Sequence, residues 1–499
     1  MTVVSLKNHF YKVNLMKEFL NHIIYSQLKV FILIFLLTVL NLRASEKVSY
    51  QEGIQSLNDS VDMVLPLFTQ RESYQSRIDL ALHPENKQLD VLTFTLAEDS
   101  VGFSLLAAAI EIAEKGGAPR IGFDAFSSKV SSELMTYMRE KGVELRAYRP
   151  LSYNFKNLLY FLKLGPLGFV NYLNLRTHDK VFITKHGTIV GSSNYSKYYF
   201  LLGKKEMSDK KERWEAWTFL DREILIQGPA EYEARQEFER KWNETEFWST
   251  GEKVNLTDDV RRKYDEAILK QKGFLNQIKN SKELNHFVSV QDLEYVNDTS
   301  SFIKKNNKIH KKILELISSA QHEIIISNPY VLLPKDIYEA LISAKNRGVI
   351  IKIFTNKAGG SDEGDVSKQF KFDLRKLENS GFEVYLNEFF YVFHGKVIVV
   401  DKESIYWGSY NFDNRSKSFN SENGVFFKSI EIAKVIYDRT LKNGIFRGVE
   451  IISQGEKKYN LRYLPQTCKE YYGRPKIETI LLPRGFWEKI MMKVKEPLL

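Results

Sequence analysis

Apolar and polar positions run along this chain in two matching series. In the first, Leu92-Thr93-Phe94-Thr95-Leu96 is rich in strand formers and predicts a β-strand. Leu105 to Lys115 has helical spacing and stops at Gly116-Gly117, and Arg120 to Phe123 predicts the next strand. In the second, Glu323 to Ser327 predicts a strand before Asn328-Pro329-Tyr330. Ile337 to Asn346 predicts a helix ended by Arg347-Gly348, Val349 to Phe354 a strand, and Phe372 to Asn379 a helix closed by Gly381. Strands alternating with helices predict an α/β fold, a mixed sheet flanked by helices in each half.

The two series share a longer repeat. Arg176-Thr177-His178-Asp179-Lys180-Val181-Phe182-Ile183-Thr184 is followed by Gly191-Ser192-Ser193-Asn194. Phe393-His394-Gly395-Lys396-Val397-Ile398-Val399-Val400-Asp401 is followed by Gly408-Ser409-Tyr410-Asn411. Each reads as a strand, a turn, a second strand and a Gly-Ser-x-Asn exit, so the chain is expected to hold two pseudo-symmetric lobes with a site between them. The repeat places the first lobe at 50–250 and the second at 300–450. The charged stretch 251–299, with a helix predicted from Asp258 to Lys272, reads as a helical connection. The tail 451–499 carries apolar pieces, Ile480-Leu481-Leu482-Pro483 and Gly485-Phe486-Trp487, and is expected to pack on the second lobe.

Composition narrows the partners. In 499 residues there are 72 basic and 62 acidic side chains, a net charge of +10 that favours anionic surfaces. The single cysteine, Cys468, excludes an internal disulfide and any cysteine-based zinc cluster. Residues 1–45 read as a signal peptide or amino-terminal anchor. Lys7, Lys12, Lys17 and Lys29 precede an apolar run from Val30 to Leu42, and small residues follow at Ala44-Ser45. That run is shorter than the roughly 20 residues of a spanning helix. Basic residues before it place the remainder outside the cytoplasm.

The repeated motif carries chemistry. Alternation along a strand puts His394, Lys396 and Ile398 on one face, so an imidazole and an ammonium stand side by side. Two copies bring His178, Lys180, His394 and Lys396 to one phosphodiester, with Ser192, Asn194, Ser409 and Asn411 as neutral groups around the phosphate. One neutral histidine attacks phosphorus and the other, protonated, protonates the leaving alkoxide, a scheme that needs no metal or other cofactor. Each ring needs an acceptor for its second nitrogen. Glu422, downstream of His394, and Glu215, downstream of His178, are the candidates, with Glu223 as a rival for the latter.

These residues resemble the paired His-x-Lys-x4-Asp motifs of the phospholipase D superfamily, with bacterial cardiolipin synthases as the nearest likeness. Ser327-Asn328-Pro329-Tyr330, Thr355-Asn356-Lys357, Ile226-Gln227-Gly228-Pro229 and Asn411-Phe412-Asp413-Asn414-Arg415-Ser416 extend the resemblance. It implies a pseudo-twofold α/β fold, a metal-independent ping-pong reaction, phospholipid substrates, His178 as nucleophile and His394 as acid. Asp401 is the family aspartate of the second motif. In the first motif its place is taken by Lys185, and Gly191 falls 13 residues after His178 where Gly408 falls 14 after His394. Phosphatidyl transfer on phospholipids at a membrane surface is therefore the expected function, with the catalytic part at the outer, periplasmic face. The alternatives are hydrolysis to phosphatidic acid by the same chemistry, a nuclease, and a non-catalytic lipid-binding protein. Nucleic acid is the less expected partner, because one-lobed nucleases carry one motif and dimerise.

Overall fold

The computed structural model describes residues 61–150, 174–200, 218–244, 248–278, 287–299, 306–357, 364–387, 391–442, 450–453 and 456–459. The amino-terminal pattern of 1–45, Glu215, Cys468 and the apolar pieces after 460 lie outside the described residues. Among the described residues no helix is long and apolar enough to cross a membrane.

The first half of the chain supplies β1 (Met63–Leu67), β2 (Asp90–Thr93), β3 (Arg120–Asp124), β4 (Glu144–Tyr148), β5 (Val181–Thr184), β6 (Gly187–Gly191), β7 (Thr218–Leu220), β8 (Glu223–Gln227), β9 (Trp248–Ser249) and β10 (Val288–Ser289). All but β7 form one sheet in the order β10-β1-β8-β6-β5-β2-β3-β4-β9. The second half supplies β11 (Gln291–Asn297), β12 (Glu323–Ser327), β13 (Ile350–Asn356), β14 (Glu383–Asn387), β15 (Tyr391–Phe393), β16 (Val397–Val400), β17 (Ser404–Gly408), β18 (Asn423–Lys428), β19 (Glu450–Ser453) and β20 (Glu456–Tyr459). Their sheet runs β11-β18-β17-β16-β12-β13-β14-β19-β20. The run β8-β6-β5-β2-β3-β4-β9 thus matches β18-β17-β16-β12-β13-β14-β19 strand for strand. In both halves the β2–β3–β4 and β12–β13–β14 triplets are parallel, whereas the motif hairpins β5–β6 and β16–β17 are antiparallel.

The apolar runs of the motif strands follow from burial on both faces. Val181 and Ile183 of β5 and Val397 and Val399 of β16 share one core with Val190, Ile224, Ile405, Trp407 and Val425, drawn from both sheets. Phe182 turns the other way, into the core formed with α1 (Gln70–Ala81), α2 (Ser100–Glu114), α3 (Ser132–Glu140) and part of α5 (Asp258–Ile278). The helix α4 (Ala230–Trp242) instead contributes Ala234, Phe238 and Trp242 to the shared core. Ile398 and Val400 of β16 pack into the core built with α6 (Lys308–Ser319), α7 (Lys335–Asn346) and α8 (Gly364–Asn379). Period-two alternation thus divides each strand between an inner sheet-on-sheet core and an outer helix-on-sheet core.

The strand and helix expectations coincide with observed elements apart from their ends. The strand expected over 92–96 ends at Thr93, because Asn194 Oδ1 accepts from Thr95 N at 3.1 Å and draws the chain towards the Gly-Ser-x-Asn loop. The 251–299 stretch is not a separate connection. Tyr264, Ile268 and Leu275 of α5 belong to the first outer core, β10 pairs with β1, and β11 pairs with β18. The chain therefore passes from one sheet to the other at Val290, and α5 runs on past the expected Lys272 to Ile278. At the start of the tail, β19 pairs with β14, so this part extends the second sheet.

Candidate active site

Each motif histidine is held by the opposite lobe. His178 N donates to Ser421 O at 3.0 Å and Ser421 N donates to Arg176 O at 2.8 Å, a parallel bridge centred on Thr177 and Ser421. In the same way His394 N donates to Leu220 O at 2.9 Å, beyond the parallel pair of β15 and β7. One residue past each of these contacts stands a buried carboxylate. Glu422 Oε2 lies 2.8 Å from His178 Nδ1, and Asp221 Oδ1 lies 2.6 Å from His394 Nδ1. The carboxylates are crossed between the lobes, so neither half completes its own histidine.

This geometry revises several expectations. Glu422 holds His178 and not the histidine of its own half. Glu223 is not a histidine partner; it forms a bidentate pair with Arg77 at 2.5 and 2.7 Å and accepts from Ser193 N at 3.3 Å. Asp221 is a partner the sequence expectation does not include: that expectation places the carboxylate ahead of residues 216–219, whereas Asp221 follows them. A signal common to both halves is a carboxylate just ahead of the strand that pairs with the second motif strand, Asp221 two residues before β8 and Glu422 one residue before β18.

Asp401 is also remote from the imidazoles. Its carboxylate accepts from Gln321 N, His322 N and Glu323 N at 2.8, 2.8 and 2.9 Å, tying the β16–β17 hairpin to the loop before β12. In the first half the tie is reversed. Asn86, on the loop before β2, accepts from Lys185 N at 3.2 Å and donates to Ala81 O at 3.1 Å, while the Lys185 side chain is exposed. The missing aspartate is thus replaced by an acceptor from the other side of the same junction.

The two serines expected around phosphate serve the carboxylates. Ser409 Oγ donates to Glu422 Oε2 at 2.5 Å and accepts from Asn423 N at 3.0 Å. Ser192 Oγ bonds the Arg222 backbone at 3.2 and 3.3 Å and helps stabilise the Asp221 carboxylate. Hydroxyls fit here because each can donate to an oxygen, the Glu422 carboxylate for Ser409 and the Arg222 carbonyl for Ser192, and accept from a backbone N–H at once. Asn194 uses its amide oxygen on Thr95; the Asn411 amide oxygen is buried with no partner among the described residues.

The lysines repeat one geometry. Lys180 Nζ donates to His178 O at 2.9 Å, and Lys396 Nζ donates to His394 O at 2.7 Å and lies 3.0 Å from His394 Nε2. All four motif side chains are buried. Phe94 stands edge-on to His178, and Tyr199, Phe219 and Tyr330 do so around His394. Burial, then the positive charges of Lys180 and Lys396 and the other imidazole, hold His178 well below the usual histidine range. Burial and Lys396 also lower His394, but the Asp221 carboxylate opposes them. Burial brings Lys180 down to about 8 against the pull of Glu422 and Asp221. Burial works against ionisation of Asp221, yet the His394 ring and Lys396 outweigh it and keep the carboxylate below its ordinary range. Both imidazoles and both ammoniums thus form one electrostatically coupled group.

Asp179, between His178 and Lys180, is a second residue that sequence reasoning passed over. It is fully buried and accepts from Lys241 Nζ, Ser421 Oγ, Thr177 Oγ1 at 2.9 Å and Asn297 Nδ2 at 2.7 Å. Ser421 and Asn297 come from the second lobe, so this carboxylate ties the lobes together beside the nucleophile candidate. Its position in lobe two is Gly395, where a Cβ would lie 2.8 Å from Arg222 Cγ. No repeat could reveal a feature present in one copy alone. Among the described residues no group of three or more His, Cys, Asp or Glu side chains is placed to hold a metal ion.

Residues 313–440 match the family model described as cardiolipin synthase, PLD-like domain. The chain is 22% identical to cardiolipin synthase C of Escherichia coli (strain K12) over 86% of this chain and 94% of that protein. It is 24% identical to a cardiolipin synthase of Geobacillus kaustophilus over 74% of this chain and 64% of that one. The fold is similar to the crystal structure of phosphatidylserine synthase from Haemophilus influenzae Rd KW20, with a TM-score of 0.59, 13% identity, and coverage of 90% of this chain and 99% of that chain. Residues 313–440 are thus a PLD-like domain of the cardiolipin synthase type, and with its paired motifs and doubled sheet the chain is similar to the phospholipase D superfamily of phosphatidyltransferases and phosphodiesterases, its cardiolipin synthases included.

Proposed function

We propose that the protein joins phospholipids by phosphatidyl transfer through a phosphohistidine, with phosphatidylglycerol as donor and a second phospholipid hydroxyl as acceptor. The observation that carries this reading is the pair of crossed histidine–carboxylate contacts, which prepares two imidazoles for one phosphorus. His178, kept neutral by burial and two ammoniums, attacks with Nε2 while Glu422 holds its Nδ1–H. The P–N bond forms as the P–O bond to the headgroup breaks, and His394, as imidazolium stabilised by Asp221, gives its proton to the leaving oxygen. Lys180 and Lys396 bear the charge on the remaining phosphate oxygens. An acceptor hydroxyl then loses its proton to His394 and attacks phosphorus, the P–N bond breaks, and neutral His178 returns. The basic charge balance and the amino-terminal pattern support placing this reaction at an anionic membrane surface, on its outer face.

The test is product analysis with phosphatidylglycerol vesicles. Release of one glycerol for each cardiolipin formed is expected. Phosphatidic acid as the sole product would establish hydrolysis in its place.

A further inference from the structure

Each motif histidine follows a residue that is gripped from both edges. In an extended segment the backbone groups of successive residues point to opposite edges, so a parallel bridge on one side leaves the N–H of the bridged residue facing the other. On one edge the grip comes from the opposite lobe: Thr177 is bridged to Ser421, and Phe393 pairs with Leu220. The other edge is closed from within the lobe by one side chain in each half. Asp124, the last residue of β3, accepts from Thr177 N at 3.1 Å through Oδ2. Asn356, the last residue of β13, accepts from Phe393 N at 2.8 Å through Oδ1 and donates from Nδ2 to Phe393 O at 2.7 Å.

The register makes the two equivalent. Three residues beyond the histidines, Val181 pairs with Leu92 and Val397 with Ser327. Leu92 and Ser327 pair in turn with Gly122 and Phe354, and two residues on stand Asp124 and Asn356. They occupy one position of the repeat, although one is an acid and the other an amide. Both are fixed in their turn. Asp124 is fully buried, and its Oδ1 accepts from Phe126 N at 2.9 Å and stands 3.9 Å from Arg176 Nη1. Asn356 is buried too; its Nδ2 also donates to Pro329 O at 3.2 Å and its Oδ1 accepts from Asn387 Nδ2 at 3.2 Å. Burial lifts Asp124 to about 6 against the opposing charge of Arg176, but a carboxyl group in either form keeps an oxygen for Thr177 N, so the grip does not depend on the titration. We infer that Asp124 and Asn356 are positioning residues, one for each histidine, that lock the peptide ahead of the ring and so set where its Nε2 meets phosphorus. The inference rests on the transfer reading and deepens it: Asp124 serves the nucleophile His178, and Asn356 serves the acid His394.

Leaving-group dependence separates the two roles. As His178 forms the P–N bond, the glycerol oxygen leaves with a proton from His394, whereas p-nitrophenolate leaves as the anion and needs none. First-turnover release is therefore measured from phosphatidylglycerol and from phosphatidyl-p-nitrophenol in Asp124→Ser and Asn356→Ser, whose hydroxyls are too short to reach the peptide. A ring displaced by about 1 Å loses on the order of 10^2-fold in rate. Asp124→Ser should slow release about 10^2-fold from both substrates. Asn356→Ser should slow glycerol release by about the same factor and leave p-nitrophenol release within about 3-fold of wild type. Asp124→Asn, which keeps the acceptor, should restore both rates to within about 3-fold. Equal losses with both leaving groups in the two variants, or no loss in either, would overturn the inference, because a general packing defect cannot sense the leaving group. The exchanged pattern would leave the positioning roles standing and refute His178 as the nucleophile. Where serine does not pack natively by near-ultraviolet circular dichroism, Asn356→Asp keeps the volume and sets a carboxylate against Phe393 O; it should show the same split between leaving groups, and its absence would overturn the inference.

Discussion

Replacing Asp221 with asparagine isolates the crossed contact. Asp221 Oδ1 sits 2.6 Å from His394 Nδ1 and both side chains are buried, so the imidazole keeps its proton on Nδ1 and presents Nε2 to the site. An asparagine of the same shape can offer its NH2 to Nδ1, which then becomes an acceptor and moves the ring proton to Nε2. With its proton on Nε2 the neutral ring can no longer take a proton there from the acceptor hydroxyl. The variant also loses the negative charge that stabilises imidazolium. Loss of a comparable carboxylate from a histidine in a serine-protease triad costs about 10^4 in kcat through the wrong tautomer. A loss of about 10^3 to 10^4 is expected here, equivalent to roughly 4–5.5 kcal/mol of barrier. The assay is kcat for glycerol release from phosphatidylglycerol, with near-ultraviolet circular dichroism to establish that packing is native. A natively packed Asp221→Asn protein that keeps more than a tenth of its activity would refute the tautomer reasoning.

The same group of charges sets a pH profile. His178 acts neutral and His394 protonated, and both are held below the ordinary 6.5, so kcat/KM should peak below pH 6.5 and fall on either side; a profile flat from pH 5 to pH 9 would remove the imidazole pair from the reaction. Because both histidines are lowered in the folded state, their contribution to stability is present above pH 6.5 and lost as pH falls below it, which denaturant titrations at pH 7 and pH 5 should register. The two hairpin ties make a structural prediction: Asp401→Asn should cost about 1 kcal/mol and Asn86→Ala about 2 kcal/mol in urea unfolding. Lys185→Asp should leave turnover within about 2-fold, since the tie it would restore is already made by Asn86; a large gain would show that the lost aspartate limits the enzyme.

Much of this architecture was legible in the chain. The repeat of His178-Asp179-Lys180 and His394-Gly395-Lys396 with their Gly-Ser-x-Asn exits marked two lobes and one site. Motif strands apolar at every position, such as Val397-Ile398-Val399-Val400, already implied cover on both faces. Partner assignment was not legible. Sequence distance made Glu422 the companion of His394, because a carboxylate close along the chain is the natural guess. The pseudo-twofold axis carries it to the other ring. Only the stacking of two sheets face to face, with Ser421 bridging Thr177 and Leu220 receiving His394 N, decides that exchange. Asp179 escaped for a different reason: its four partners come from both lobes, and nothing local to residues 178–180 announces them. Ser192 and Ser409 are expected at the phosphate from their residue type, but in the structure the Ser409 hydroxyl donates to Glu422 and the Ser192 hydroxyl to the Arg222 carbonyl, contacts that sequence spacing does not announce.

Trapping the covalent intermediate tests the central assignment most directly. Wild-type protein mixed with phosphatidylglycerol, quenched in alkali within the first turnover and digested for mass spectrometry, should carry a phosphatidyl group on the His178 ring and none on His394. A phosphatidyl group found on His394, or product formed in a single turnover with neither histidine modified, would contradict the account.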